Sequence, residues 1–98
     1  NTAASCTEAV RGVVEPAGKP VVAGEEGICA GCGVATLSIS YYDLGCVTGE
    51  MAYEVLVNGA DIASMEVQYA PNVVKEYNAE LCALLDIAIP EGYVAIGE

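Results

Sequence analysis

Five cysteines, two adjacent glutamates and an Asn-Thr dipeptide are the residues whose types and spacing bear on chemistry in this chain. Cys29-Ala30-Gly31-Cys32 has the C-x-x-C spacing of a redox pair or of half a zinc site. No second C-x-x-C follows and the chain contains no His, so the remaining ligands of a tetrahedral zinc site are missing, and neither metal nor cofactor is expected. A thioredoxin-like pair needs a helix N-terminus and a depressed thiol pKa. The glycines on both sides of this pair read instead as a loop before a strand, holding a local disulfide or two reduced thiols. Cys6, Cys46 and Cys82 stand alone in helical patterns, where a cysteine is usually a small core residue.

Glu25-Glu26 lies between two glycines, Gly24 and Gly27, that let a ligand approach the backbone. One of these carboxylates can accept hydrogen bonds from an ammonium group, or both can simply belong to a solvated acidic loop. Asn1 and Thr2 have the side chains of helix N-caps. There they either hold an anion such as a carboxylate, together with the free N–H groups of a helix start, or cap that helix and nothing more. Catalysis finds no support: there is no His to act as a base, no nucleophile elbow, no P-loop and no G-x-G-x-x-G. An enzyme is not expected.

The elements around these residues follow from periodicity. Ser5-x-x-Glu8 fits a capping box ahead of Ala9, Val10, Val13 and Val14, so a helix covers at least Thr7 to Val14, with a start at Asn1 or Thr2 equally open, and Pro16 and Gly18 end it. Lys19 to Ala23 reads as a short buried strand, Gly24 to Gly33 as a glycine-rich loop, and Val34 to Ile39 as the next strand. Leu44, Val47, Met51 and Val55, with Leu56 beside them, recur at helical spacing from Tyr42 to a stop at Asn58-Gly59. Met65 to Tyr69 alternates like a half-buried or edge strand. Pro71-Asn72 opens a further helix carrying Val74, Tyr77, Leu81, Leu84 and Leu85. The order α-β-β-α-β-α implies an α/β layer structure with a largely parallel sheet, its strands buried on both faces.

Composition narrows the partners. The 98 residues are 54% hydrophobic, with no Trp and no Phe, which describes an aliphatic core and argues against disorder. No run approaches eighteen consecutive apolar residues. The net charge of −11 repels phosphate backbones, so nucleic acid is a poor partner, whereas a zwitterionic or neutral small ligand is compatible.

The string TLSISYYDLGCVTGEMAYEVLVNGAD from Thr36 to Asp61, with GEEG before it and MEVQYAP and IPEGY after it, resembles the C-terminal part of extracytoplasmic substrate-binding proteins of ABC transporters. These are periplasmic-binding-protein type I-like proteins, and the likeness is to their tryptophan and amino-acid branch. It runs over essentially the whole chain. It implies a partial periplasmic-binding-protein-like lobe with a mostly parallel sheet flanked by helices. Residues 1–37 and 64–98 would belong to the C-terminal lobe, and 38–63 would form a crossover segment whose helix packs on an N-terminal lobe absent from this fragment. The resemblance further implies capture of a small solute, an amino acid, outside the membrane. ABC permease subunits would be the partners, and the protein would be periplasmic or anchored as a lipoprotein. It places Asn1 and Thr2 in the ligand cleft, with Glu25 or Glu26 contributing. An apolar helix left without its lobe should make the fragment self-associate. Set against this is a small α/β redox or metal-sensing domain working through Cys29 and Cys32.

Overall fold

A computed structural model of the chain describes residues 1–97. After a 3-10 turn at Ala4–Cys6, its elements in order are α1 (Thr7–Val14), β1 (Val22–Ala23), α2 (Glu26–Cys32), β2 (Ala35–Ile39), α3 (Tyr41–Leu56), a second 3-10 turn at Ile62–Ser64, β3 (Val73–Tyr77), α4 (Ala79–Leu84) and β4 (Val94–Ala95). The chain divides into two compact units: Asn1–Ser38 together with the chain from Val74 onward, and Ile39–Val73.

The four strands form one sheet in the order β1-β2-β3-β4. β1 and β2 are parallel, with Val22 beside Ala35 and Ala23 beside Thr36; β3 and β4 are parallel, with Glu76 beside Val94 and Tyr77 beside Ala95. The Asn78 N–H donates to Val34 O at 2.9 Å, joining the residue after β3 to the residue before β2. A bond between those two ends requires β2 and β3 to run in opposite directions. The α/β architecture with a mostly parallel sheet flanked by helices is thus present. Its strands are not buried on both faces, however. Along β2, buried Thr36 and Ser38 alternate with Leu37 and Ile39, which are 56% and 36% exposed. The core is small: Val34, Leu81 and Cys82 are buried, and Ala35, Tyr77, Leu85 and Ile87 pack on them.

Several elements differ from the reading of periodicity. The expected glycine-rich loop from Gly24 to Gly33 is mostly the helix α2, because Glu25 caps it: its carboxylate accepts from the N–H groups of Gly27 and Ile28. Glycine at position 31 is a packing requirement, since a Cβ there would stand 2.6 Å from Thr7 Cβ on α1. The helix expected from Pro71-Asn72 is instead β3 followed by α4. Asn78 separates them, its Oδ1 accepting from Leu81 N at 3.2 Å, and the β-branched pair Val73-Val74 falls on the strand side. Met65 to Tyr69 forms no strand; it follows the 3-10 turn that Asp61 caps through Ala63 N at 3.0 Å. Of Lys19 to Ala23, only Val22 and Ala23 enter the sheet.

At the first helix the capping box does not form: the N-cap of α1 is Cys6, no side chain bonds there, and the Ser5 hydroxyl donates backward to Asn1 O at 3.0 Å. The helix does end where Pro16 and Gly18 suggest. Gly18, at φ 62, donates to Glu15 O at 3.0 Å, and Lys19 N donates to Val14 O at 2.9 Å, which is the bonding of a Schellman motif. In the second unit, Ser40 caps α3 by accepting from Asp43 N at 3.1 Å, and Gly59, at φ 70, turns the chain out of the helix.

Candidate functional site

Asn1 and Thr2 do not head a helix. Both are exposed and lie in the turn before the 3-10 segment, where their carbonyl oxygens accept from Ser5 N at 3.1 and 3.2 Å. The reason is local, since the Ser5 hydroxyl and amide both turn back onto Asn1 and the regular helix begins only at Thr7. Their side chains remain open to solvent.

Glu25 does not lie in a loop: it is the N-cap of α2. Each of its oxygens already receives one backbone N–H, and a carboxylate oxygen keeps a further lone pair. Glu26 follows in the first turn of that helix, exposed, where the helix dipole favours its charge. The structure therefore brings Glu25 and Glu26 together at one helix start. Among the described residues, no hydrogen bond links either of them to Asn1 or Thr2.

The C-x-x-C pair lies inside α2 rather than in a loop. Cys29 is 0% exposed and Cys32 3%. Burial pushes the Cys29 thiol up to about 11, helped by the neighbouring Cys82, Glu76 and Cys32, while a hydrogen bond involving Asn78 opposes the rise. Burial also raises the Cys82 thiol. The sulfurs of Cys32 and Cys82 approach carbonyl oxygens, Ile28 O at 3.5 Å and Val34 O at 3.3 Å, as protonated thiols do. All five cysteines are free. A thiol raised by burial has the opposite character from a redox nucleophile.

One residue that periodicity did not single out organises this region. Asn78 caps α4 through Oδ1, and its Nδ2 donates to Cys29 O at 3.2 Å and Ala30 O at 3.0 Å at the C-terminal turn of α2. The signal was available in the sequence, as an Asn directly before Ala79-Glu80-Leu81 is a helix start. Beside it, α1 and α2 frame an open polar groove of about 570 Å3 that includes Arg11. The Arg11 guanidinium is committed, with Nε donating to Glu15 at 2.6 Å and Nη2 to Glu80. In the second unit, α3 and the segment after it form a separate apolar groove of about 550 Å3, lined by Met51, Val55, Ile62, Met65 and Val67.

No protein-family model matches the sequence, and no curated protein does either. Solved structures do. The chain is similar in fold and sequence to substrate-binding proteins over nearly its whole length. One is the ligand-free, open form of CD0873 from Clostridium difficile, a substrate-binding protein with adhesive properties, at 29% identity and a TM-score of 0.73 over 94% of this chain. A second is an ABC domain from Streptococcus pneumonia in complex with L-Trp, at 29% identity and a TM-score of 0.82 over 98% of this chain. A conserved domain protein from Vibrio cholerae, at 21% identity and a TM-score of 0.69, shares the fold. The chain spans 32%, 35% and 40% of these three proteins, respectively.

Proposed function

We propose that this chain is part of the substrate-binding component of an ABC transporter, which captures an amino acid outside the cytoplasm and presents it to membrane permease subunits. The observation that carries the reading is the superposition of 98% of the chain, at a TM-score of 0.82, on an ABC domain that holds L-Trp. Aromatic amino acids are accordingly the first ligands to try. The role is binding and delivery, not catalysis, and hinge closure of two lobes around the solute reports occupancy. No helix of the described residues is long and apolar enough to cross a membrane. In this reading the protein is periplasmic or anchored as a lipoprotein.

In this reading 1–37 and 64–98 belong to one lobe, and 38–63 cross over to carry α3 to the other. Asn1 and Thr2 line the cleft with exposed side chains, and Glu26 is the freer of the two glutamates to meet an ammonium group, since Glu25 already caps α2. Isolated from its second lobe, the chain self-associates through α3.

Calorimetry on the intact protein with L-tryptophan and a panel of other amino acids tests the reading. Binding of at least one of them, weakened tenfold or more by Asn1→Ala with Thr2→Ala, is the expected result. An intact, folded protein that binds none of the twenty would refute it.

A further inference from the structure

Of the asparagines in the chain, Asn1, Asn58, Asn72 and Asn78, only Asn58 precedes a glycine. An asparagine can close a ring onto the backbone nitrogen of the residue after it. Closure is opposed by bulk on that next residue, by a hydrogen bond that holds its N–H, and by bonds that hold the asparagine side chain. Asn1 and Asn72 are followed by the β-branched Thr2 and Val73, and the Asn72 amide donates to Asp43 Oδ2 at 3.0 Å. Asn78 precedes Ala79 in α4, and its side chain is held by Leu81 N and by the carbonyls of Cys29 and Ala30.

Asn58 differs in each respect. It is exposed just past the end of α3, and so is Gly59, which has φ 70 and where an added Cβ would have nothing within 4 Å. The amides on either side are engaged, Asn58 N with Tyr53 O at 3.4 Å and Ala60 N with Glu54 O at 2.9 Å. Among the described residues, no hydrogen bond takes the Gly59 N–H. With neither a Cβ nor a bond at its nitrogen, Gly59 is free to turn that nitrogen toward the side chain before it. One contact restrains the Asn58 side chain: Nδ2 donates to Glu54 Oε1 at 3.0 Å, an exposed i,i+4 pair of the kind that is weak in water.

We propose that Asn58-Gly59 is a deamidation site, at which the folded chain slowly converts its own asparagine to aspartate and isoaspartate with water as the only reagent. The Gly59 nitrogen, its proton taken by hydroxide, attacks the side-chain carbonyl carbon of Asn58. A bond forms between them, the bond from that carbon to Nδ2 breaks, and ammonia leaves with a proton from water, which restores the hydroxide and closes a succinimide. Water then opens the ring at either carbonyl, giving aspartate or, with the main chain rerouted through the side-chain carbon, isoaspartate. Position gives the product a consequence. A carboxylate here stands at the C-terminal end of α3, where the helix dipole disfavours negative charge, and four residues after Glu54, which loses a donor and gains a like charge. No cation of the same unit offsets it, since Ile39–Val73 contains neither Lys nor Arg. Isoaspartate also adds a backbone carbon inside the turn that the bond from Ala60 N to Glu54 O closes. Both products therefore loosen the last turn of α3.

The test is ageing of the folded protein in mildly alkaline buffer, followed by peptide mapping with mass spectrometry and by methyl transfer from a protein isoaspartyl methyltransferase. Asn58 should convert severalfold faster than Asn1, Asn72 or Asn78 and yield both aspartate and isoaspartate. Asn58→Gln, whose longer side chain must close a larger ring, should remove most of the isoaspartate. The aged protein and Asn58→Asp should both melt below the wild type. Conversion no faster than at Asn72 and Asn78, or conversion seen only once the protein is unfolded, would overturn the site. Isoaspartate that persists undiminished in Asn58→Gln would place the reaction elsewhere and overturn it as well. An Asn58→Asp variant as stable as the wild type would overturn the loosening of α3.

Discussion

The side-chain amide of Asn78 donates to the main-chain carbonyl of Cys29 at 3.2 Å, tying the start of α4 to the end of α2. The same residue caps α4 and reaches Ala30 O, so one side chain bonds to the open ends of two helices. Removing it leaves Ala30 O and Leu81 N–H without these partners, while Cys29 O keeps the Gly33 N–H at 3.0 Å. Asn78→Ala should cost about 1–3 kcal/mol of stability, and Asn78→Asp, which keeps the cap and loses both amide bonds, should fall between wild type and Ala. Denaturant unfolding of the three proteins measures the order; an Ala variant as stable as wild type would show that water replaces the bonds.

Close approach of α1 and α2 at Gly31 gives a second outcome. An added Cβ would meet Thr7 Cβ at 2.6 Å, below any real contact distance, so Gly31→Ala must push the two helices apart at a cost of about 1–3 kcal/mol. Gly12, in the middle of α1, is different: a Cβ added there would have nothing within 4 Å. Gly12→Ala should therefore stabilise by about 0.5–1 kcal/mol through helix propensity. Melting curves for the two variants should shift in opposite directions, and a loss in both would mean that the α1–α2 contact is not what Gly31 serves.

How much of this was legible in the sequence depended on whether a residue's role was local. The helix from Leu44 to Val55 was plain because its apolar residues recur at steps of three and four along it, and Gly18 and Gly59 announced the helix ends because both take positive φ. β3 and α4 were hidden inside one apparent helical pattern, since Val74, Tyr77, Leu81 and Leu85 fit steps of three and four whether or not Asn78 breaks the chain between them. α2 was hidden by its glycines, because Gly31 lowers helix propensity and its compensation, contact with Thr7, is 24 positions away in sequence and visible only in three dimensions. The capping role of Glu25 was hidden for the same reason: its partners are backbone N–H groups, which every sequence has.

Thiol reactivity separates the binding reading from the redox one. Cys6 and Cys46 are exposed, whereas Cys29, Cys32 and Cys82 are buried. Native protein treated with a thiol reagent near pH 8 should label two cysteines quickly, and the other three only on unfolding. The Cys29 thiol, pushed up to about 11 from an ordinary value near 9.0, also sets a sign. The folded state keeps that proton while the unfolded chain releases it, so stability is present below about pH 9 and is lost as pH rises towards 11. Rapid labelling of Cys29 at neutral pH would restore the redox alternative.

The apolar stripe of α3 gives the last outcome. Leu44, Val47, Met51 and Val55 are half-buried, and Met51 and Val55 line the apolar groove with Ile62, Met65 and Val67 inside their own unit. Leu56, at the end of the same stripe, is 82% exposed. The two ends should therefore respond differently to charge. Met51→Glu with Val55→Glu places two carboxylates where apolar surface is removed from water at roughly 25 cal/mol per Å2, so the unit should lose stability even in a monomer. Leu56→Glu removes only surface that is already in solvent, and the fold should keep its stability within about 0.5 kcal/mol of wild type. If the chain self-associates through this stripe, light scattering should show the wild type as a dimer or larger species that Leu56→Glu dissociates without unfolding. A monomeric wild type, or an assembly indifferent to Leu56→Glu, would confine the stripe to packing within its own unit and remove α3 as the surface on which copies of the chain meet.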